Sequence, residues 1–131
     1  MSKPVILCVD DERIVLNSLR TQLAEAFGDA YIYEVAEDAE EAFELICELN
    51  DDEVSVIVII SDWLMPGIKG DELLIRIHEQ FPNIIKIMLT GQADEVAIDR
   101  AEKYANLHRC LSKPWSEADL LETIKSGLLK I

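Results

Sequence analysis

Short apolar runs alternate along this chain with longer stretches in which apolar residues recur every three or four positions. The five runs lie at residues 5–9, 31–35, 56–60, 84–89 and 107–111. After the first run, for example, Leu16, Leu19, Leu23 and Phe27 would share one face of a helix. Short apolar runs predict buried strands and periodic stretches predict amphipathic helices, so we expect strand and helix to alternate five times.

Polar residues near the expected helix ends agree with this division. Asp38 is followed three residues later by Glu41, and Ser116 by Asp119, which is the arrangement of a capping box at a helix N-terminus. Gly28 follows the first periodic stretch, where a residue with positive φ commonly ends a helix.

Strict alternation of strands and helices predicts parallel strands joined by right-handed crossovers. The Val/Ile character of residues 56–60 suits a strand that is covered on both faces. We predict an α/β fold, a doubly wound five-stranded parallel sheet, (βα)5, with the flavodoxin-like strand order 2-1-3-4-5. Such sheets bind ligands outside the carboxyl ends of their strands.

The length and composition of the chain limit its class. Residues 1–131 are enough for one core and too few for two ordinary ones, so we expect a single domain. The longest apolar run is too short to cross a bilayer and residues 1–4 lack signal-peptide features, so we expect a cytoplasmic protein without a membrane segment. The net charge of -14 opposes direct binding to nucleic acid and favours proteins or cations as partners.

The cysteines and histidines show no pattern of paired ligands. Cys8, Cys47 and Cys110 lie apart in apolar segments, so we interpret them as reduced core thiols. His78 and His108 have no metal-ligand spacing with them.

Polar side chains follow four of the apolar runs at their downstream ends. Asp10 and Asp11 follow the first run, Asp62 the third, Thr90 the fourth and Lys113 the fifth. A parallel sheet would gather these ends at one edge, where two negative charges about 4 Å apart repel by about 4 kcal/mol at an effective dielectric constant of about 20. Such a cluster requires a cation, and oxygen ligands with room for water and a phosphoryl group favour Mg²⁺.

Each of these residues also has an ordinary structural interpretation. Asp10 and Asp11 could cap the first helix, and Asp62 could begin a turn. Threonines such as Thr90 are common at strand ends, and most lysines, Lys113 included, could simply be solvated. Matches at four consistent strand ends favour a joint site, and this chemistry points to phosphoryl transfer onto an aspartate.

The polar residues belong to four segments that carry a family resemblance. These are residues 8–12 (CVDDE), 61–67 (SDWLMPG) with Gly70, 89–91 (LTG) and 112–114 (SKP). Along essentially its whole length the chain resembles the receiver domain of bacterial two-component response regulators. The resemblance implies that Asp62 is the phosphoacceptor, which attacks a phosphohistidine of a sensor histidine kinase or phosphotransfer protein. Thr90 and Lys113 would contact the phosphoryl oxygens, and a cis peptide is expected after Lys113.

The resemblance also implies a ligand set for the metal. Asp11, Asp62 and the backbone carbonyl of Leu64 would hold Mg²⁺ directly, and Asp10 would act through a metal-bound water. Leu64 and Gln92 would flank the path of the water that hydrolyses the acyl phosphate. Because a leucine cannot position water by hydrogen bonding, we expect a relatively long-lived phosphoryl group.

One position departs from the family pattern. Many receivers have Tyr or Phe three residues before the lysine, and Cys110 occupies that position here. We therefore expect the coupling of Asp62 to the fourth helix and fifth strand to be weaker or to use smaller side chains. Trp63 and Trp115 resemble a receiver subgroup that is often joined to signalling enzymes such as cyclic-dinucleotide phosphodiesterases or cyclases, kinases and phosphatases.

The sequence specifies no output partner. We expect either a stand-alone receiver or, as we favour, a segment of a longer protein with an output domain. The resemblance places partner or homodimer contacts on the fourth helix, fifth strand and fifth helix. The charged residues in this region identify no specific partner: Asp94, Glu95, Asp99, Arg100 and Lys103.

Three functions of other classes are alternatives to a receiver. A flavodoxin-like electron carrier would need a phosphate-binding loop after the first strand, which is absent. A phosphatase of the haloacid dehalogenase type would need a second Asp two residues after its nucleophile, and residues 10–14 (DDERI) do not fit. The main alternative is a phosphorylation-silent interaction scaffold. A working receiver would catalyse its own phosphorylation and slow dephosphorylation, but would act mainly in signalling.

Overall fold

The computed structural model describes residues 3–91 and 95–131. Within these residues five strands alternate with five α-helices, as predicted. In chain order they are β1 Val5–Val9, α1 Arg13–Phe27, β2 Ile32–Ala36, α2 Ala39–Asp51, β3 Val56–Asp62, α3 Gly70–Gln80, β4 Ile85–Thr90, α4 Glu95–Ala105, β5 Arg109–Ser112 and α5 Glu117–Leu128. Of the helices described, none combines the length and the apolar character needed to span a membrane.

The strands form one parallel sheet in the order β2-β1-β3-β4-β5. Val9 at the end of β1 lies opposite Ser61, and Thr90 at the end of β4 lies opposite Ser112. The predicted doubly wound sheet and its strand order are confirmed. The register brings the polar strand ends together at one edge, where sheets of this topology bind ligands.

Two hydrophobic layers cover the sheet, one on each face, because successive strand residues point to opposite sides. β1 is buried along its whole length, which explains why its sequence is apolar without alternation. α1 and α5 cover one face with Leu16, Leu19, Leu23, Leu120 and Ile124. α2, α3 and α4 cover the other face with residues that include Ala42, Ile46, Leu73, Ile77 and Ala101.

The predicted helix-end signals act as expected. The Asp38 carboxylate accepts a hydrogen bond from the Glu41 N–H at 2.8 Å, and the Ser116 hydroxyl accepts one from the Asp119 N–H at 3.0 Å. Each bond satisfies one of the N–H groups that a helix N-terminus leaves without a partner. Gly28 has a φ of 60°, in the region that favours glycine.

The fifth strand begins two residues later than its apolar run. Asn106 has a φ of 53°, and the Leu107 N–H donates to the carbonyl of Ala101, six residues earlier. This bond closes the turn after α4, so Leu107 is held at the end of the helix and not in β5, although its side chain still packs against the core. β5 therefore starts at Arg109.

The three cysteines are free, but their burial differs from the expectation. Cys8 is fully buried, whereas Cys47 and Cys110 are only half-buried. Cys8 lies on a central strand that helices cover on both faces, while Cys110 lies on the edge strand β5, where one neighbouring strand is missing. Burial raises the pKa of the Cys8 thiol to about 12 and also raises that of Cys110, so both thiols are poor nucleophiles at neutral pH.

Candidate functional site

Three carboxylates converge at the carboxyl edge of the sheet. Asp10 and Asp11 follow β1, and Asp62 ends the neighbouring strand β3. Oxygen atoms of the three side chains lie within 4.8 Å of one another. Asp10 is fully buried and Asp62 is 4% exposed, whereas Asp11 is exposed at the mouth of the cluster. The fold thus brings Asp10 and Asp62 together, although they are 52 positions apart in the sequence.

Hydrogen bonds fix the orientation of Asp10. One carboxylate oxygen accepts from the Glu12 N–H at 2.9 Å, and the other accepts from the Lys113 ammonium at 2.8 Å. Its backbone N–H donates to the carbonyl of Ala36 at 3.1 Å. The helix α1 begins after Glu12, whose own side chain makes no cap bond. Asp10 therefore does more than cap a helix, since its second oxygen faces the site.

Lys113 reaches across the edge from the end of β5. Its ammonium lies 2.8 Å from Asp10 and 3.1 Å from the Oδ1 atom of Asp62. Its backbone N–H donates to the carbonyl of Thr90 at 2.9 Å, and the Lys113–Pro114 peptide is cis, as predicted. Burial alone would lower the pKa of Lys113, but the bonds to Asp10 and Asp62 outweigh burial and raise it. The ammonium therefore stays charged at neutral pH.

The electrostatic balance at Asp62 fits a divalent cation. Burial raises the pKa of Asp62, the bond to Lys113 lowers it, and the charges of Asp10 and Asp11 raise it again, with a net increase. Among residues 3–91 and 95–131, the three carboxylates have one ammonium, that of Lys113, as an ion-pair partner, so the cluster carries uncompensated negative charge. A hard cation with oxygen ligands, such as Mg²⁺, would supply the missing positive charge, and the exposed Asp11 leaves it an approach from solvent.

Thr90 and the loop after β3 complete the surroundings of the cluster. Thr90 is 6% exposed at the end of β4, beside β5 and Lys113. Leu64, two residues after Asp62, has a side chain that is 61% exposed to solvent. The predicted role of Gln92 lies outside the described residues, as does that of Asp94.

Gly70 allows the loop after β3 to close tightly. Its N–H donates to the carbonyl of Trp63 at 2.8 Å, while the Trp63 N–H donates to the carbonyl of Leu89 at 2.8 Å. A Cβ atom added to Gly70 would lie 2.8 Å from the Cα atom of Trp63 and would clash with the backbone of Asp62. Only a residue without a side chain permits this approach, which explains why glycine accompanies the aspartate segment.

The structure contains two buried charged residues, Asp71 and Lys86, that the sequence did not indicate as important. Asp71 lies at the start of α3, where an acidic residue is unremarkable. It is nevertheless 5% exposed and binds Trp63 and Arg100. Lys86 lies on β4 and is 1% exposed, although lysines are seldom buried. Each has partners on a neighbouring element or loop: Asp71 pairs with Arg100, 29 residues away, and Lys86 with His78, eight residues away. Because these contacts depend on how the elements pack, no motif in the sequence indicated them.

Residues 6–125 match the family model described as the response regulator receiver domain. This chain belongs to that family. The predicted family is therefore confirmed, and the flavodoxin-like carrier and the haloacid dehalogenase type of phosphatase are excluded. Receiver domains bind Mg²⁺ at an acidic pocket, and this receiver has an acidic cluster formed by Asp10, Asp11 and Asp62.

Similar proteins agree with this assignment. The receiver is 30% identical over 123 residues to the hydrogenase transcriptional regulatory protein HoxA of Cupriavidus necator, covering 94% of this chain and 24% of HoxA. It is 31% identical to the response regulator MprA of Mycolicibacterium vanbaalenii, covering 94% of this chain and 49% of MprA. The receiver thus spans between about a quarter and about half of the length of these relatives.

Solved structures show the same fold. The signal receiver domain of an HD domain-containing protein from Pseudomonas fluorescens superposes with a TM-score of 0.87 at 32% identity, covering 98% of this chain and 97% of that one. A CheY-like receiver domain protein from Methanospirillum hungatei superposes with a TM-score of 0.85 at 30% identity, covering 98% of this chain and 96% of that one.

Proposed function

We propose that this receiver is a cytoplasmic phosphorelay domain that accepts a phosphoryl group on Asp62. The donor would be a phosphohistidine of a sensor histidine kinase or phosphotransfer protein, and the product would alter contact with an output domain or partner. The observation that carries this proposal is the ammonium of Lys113, which contacts both Asp10 and Asp62 in a cluster of carboxylates that also includes Asp11. A nucleophile and the charges needed to stabilise a phosphoryl group are thereby combined in one place.

In the proposed reaction Asp62 is the nucleophile. A carboxylate oxygen forms the new O–P bond as the P–N bond of the phosphohistidine breaks, and the imidazole nitrogen keeps the bonding pair. A carboxylate is a weak nucleophile, but a loose transition state requires mainly alignment and charge stabilisation. Lys113 would transfer a hydrogen bond from the Oδ1 atom of Asp62 to a phosphoryl oxygen, and the Thr90 hydroxyl would contact another.

The carboxylates would hold the metal. Asp11, Asp62 and the backbone carbonyl of Leu64 are the proposed direct ligands, with Asp10 acting through water. Bound Mg²⁺ would neutralise charge on the transferring phosphoryl oxygens. Asp10 already has both oxygens engaged by the Glu12 N–H and Lys113, which supports an indirect role for it.

The lifetime of the acyl phosphate depends on access and orientation of water. The exposed side chain of Leu64 offers no donor or acceptor beside Asp62, so it cannot orient an attacking water. We therefore propose a long-lived phosphoryl group, which suits a domain whose phosphorylated state must persist long enough to change partner contacts.

The partners remain part of the proposal. This chain covers only 24% of HoxA, and the similar Pseudomonas structure is the receiver domain of an HD domain-containing protein, so we propose an output domain or partner here. The contact surface would be α4, β5 and α5, where Val96 is 71% and Tyr104 is 52% exposed. The same surface would serve a homodimer.

Intact mass after incubation with Mg²⁺ and acetyl phosphate tests the proposal. Wild-type protein should gain one phosphoryl group, and Asp62→Asn should gain none, because the amide removes the nucleophile with little change in volume. Asp52→Asn is a matched control, since Asp52 is an exposed aspartate after α2. Following the mass over time measures the lifetime.

A phosphorylation-silent scaffold is the second candidate, favoured by the absence of an aromatic residue at Cys110. It predicts that the folded wild type binds Mg²⁺ but gains no mass from either acetyl phosphate or a histidine kinase. A phosphoryl group found on Asp62→Asn would instead refute the choice of acceptor.

A further inference from the structure

Trp63 is tied to the acceptor residue through the backbone. It follows Asp62 directly, its N–H donates to the carbonyl of Leu89 on β4, and its carbonyl accepts from the Gly70 N–H. Both bonds are 2.8 Å long. These bonds hold the main chain of Trp63 in a defined position relative to Asp62. A displacement of Asp62 is therefore expected to move Trp63 with it.

The indole of Trp63 is joined to α4 through one carboxylate. Its Nε1 atom donates to the Oδ1 atom of Asp71 at 3.2 Å, and the Oδ2 atom of Asp71 accepts from Arg100 on α4 at 2.5 Å. The Asp71 side chain is only 8% exposed, whereas the Arg100 side chain is 42% exposed, so the shared carboxylate is the shielded member of the pair. A single buried carboxylate thus links the residue after Asp62 to the fourth helix.

Arg100 is held by two acidic residues of α3. Its second nitrogen binds Glu72 at 3.0 Å, in addition to the bond with Asp71. Two charge-assisted bonds from one guanidinium to two carboxylates restrict its geometry more than a single ion pair would. A shift of Asp71 should therefore move Arg100 and α4 with it, because the Arg100 side chain is not free to rotate and absorb the shift.

The half-buried thiol of Cys110 lies on β5, in the position for which the sequence comparison expected a larger side chain. Cys110 packs against the core, whereas the Trp63 indole donates a hydrogen bond to Asp71 at the α3–α4 junction. Between Asp62 and α4, the route through Trp63 and Asp71 therefore has defined polar contacts, and we consider it ahead of a route through Cys110.

We propose that Trp63, Asp71 and Arg100 form a bridge that transmits the phosphorylation state of Asp62 to α4. The inference rests on the proposed phosphorylation. When the phosphoryl group is added and Lys113 leaves Asp62, the β3 end and the indole shift together, and the Asp71–Arg100 pair carries that shift to α4. The three residues are positioning residues, since none of them touches the transferred group.

Hydrogen–deuterium exchange of α4, Glu95–Ala105, with and without acetyl phosphate and Mg²⁺ tests the bridge. Phosphorylation should change exchange in the wild type, and this difference should be lost in Trp63→Phe, which keeps a ring but removes the N–H donor. Asp71→Asn should also lose it, because the charge that binds Arg100 is gone. If these residues only stabilised the fold, the substitutions would alter exchange equally in the unphosphorylated and phosphorylated proteins. The decisive quantity is therefore the difference in α4 exchange between these two states.

Arg76→Gln is the matched control. Arg76 pairs with Glu72 within α3 at 2.9 Å and does not contact Asp71, so this variant should keep the wild-type difference. Intact mass must show phosphoryl incorporation in each variant that is compared. A wild-type-sized change of α4 in both Trp63→Phe and Asp71→Asn would overturn the bridge, as would an unresponsive α4 in phosphorylated wild type. Failure of the wild type to incorporate phosphate would instead refute the proposed function, and the bridge with it.

Discussion

Lys86 is a buried cation whose partners are neutral. The residue is 1% exposed, and its ammonium binds the Nδ1 atom of His78 at 2.8 Å and the carbonyl of Pro82 at 3.3 Å. Burial, and then the charge of Lys86, lower the pKa of His78, so the imidazole is neutral at neutral pH. The ammonium has therefore lost water without gaining a negative charge among the described residues.

The cost of this burial follows from proton linkage. Burial lowers the pKa of Lys86 from 10.5 to about 8. A tenfold change in proton affinity corresponds to about 1.4 kcal/mol, so the folded state carries a penalty of about 3 kcal/mol while Lys86 is charged in both states. Between the folded and unfolded pKa values the unfolded chain binds more protons. Stability should therefore rise with pH from about 8 to about 10.5, and the penalty should be fully present below that window.

Lys86→Met tests this reasoning, because methionine fills a similar volume without a charge. The variant should be more stable than the wild type at neutral pH, and this advantage should shrink by about 3 kcal/mol as the pH passes from about 8 to about 10.5. Urea unfolding at a series of pH values measures both proteins, and taking their difference cancels the other titrating groups to first order. The comparison is best made above neutral pH, where His78 is neutral in both proteins, because the substitution also changes the surroundings of His78.

Lys125→Met serves as the control, since Lys125 is an exposed residue of α5. It should show no comparable trend with pH. A stability difference between wild type and Lys86→Met that stays constant across the window would refute the argument, because it would mean that the ammonium is not desolvated in the folded state.

Two further substitutions test the edge of the sheet. Gly70→Ala should lower the free energy of unfolding by about 1–3 kcal/mol in urea titrations, because the added Cβ would clash with the backbone of Asp62 and Trp63. Gly91→Ala is the control, since nothing lies within 4 Å of its added Cβ, and it should show no such loss. Equal unfolding midpoints for the two variants would contradict the steric argument. Lys113→Ala should retain Mg²⁺ binding, measured by titration calorimetry, but should slow phosphoryl incorporation by about 100-fold; wild-type kinetics would exclude its proposed contact with the phosphoryl group.

The alternation of apolar runs and amphipathic stretches was sufficient to predict the number, type and order of the elements. These features depend on local periodicity and on the general handedness of crossovers, so they can be read without tertiary contacts. The capping residues Asp38 and Ser116 were predictable for the same reason, because their partners lie three residues away. The convergence of Asp10, Asp62 and Lys113 followed from strand topology together with the family motifs.

Only the tertiary structure decided which charges face one another across the elements. The bonds that link Trp63 through Asp71 to Arg100 left no distinctive pattern in the sequence, and neither did the burial of Lys86 beside His78. Asp71 and Arg100 are 29 residues apart, and their pairing depends on how α3 and α4 lie against the sheet. The sequence determined the elements and the residues at the edge of the sheet, because those depend on local periodicity and topology. Burial and pairing of individual charges depend on how the finished elements pack against one another, which local periodicity does not specify.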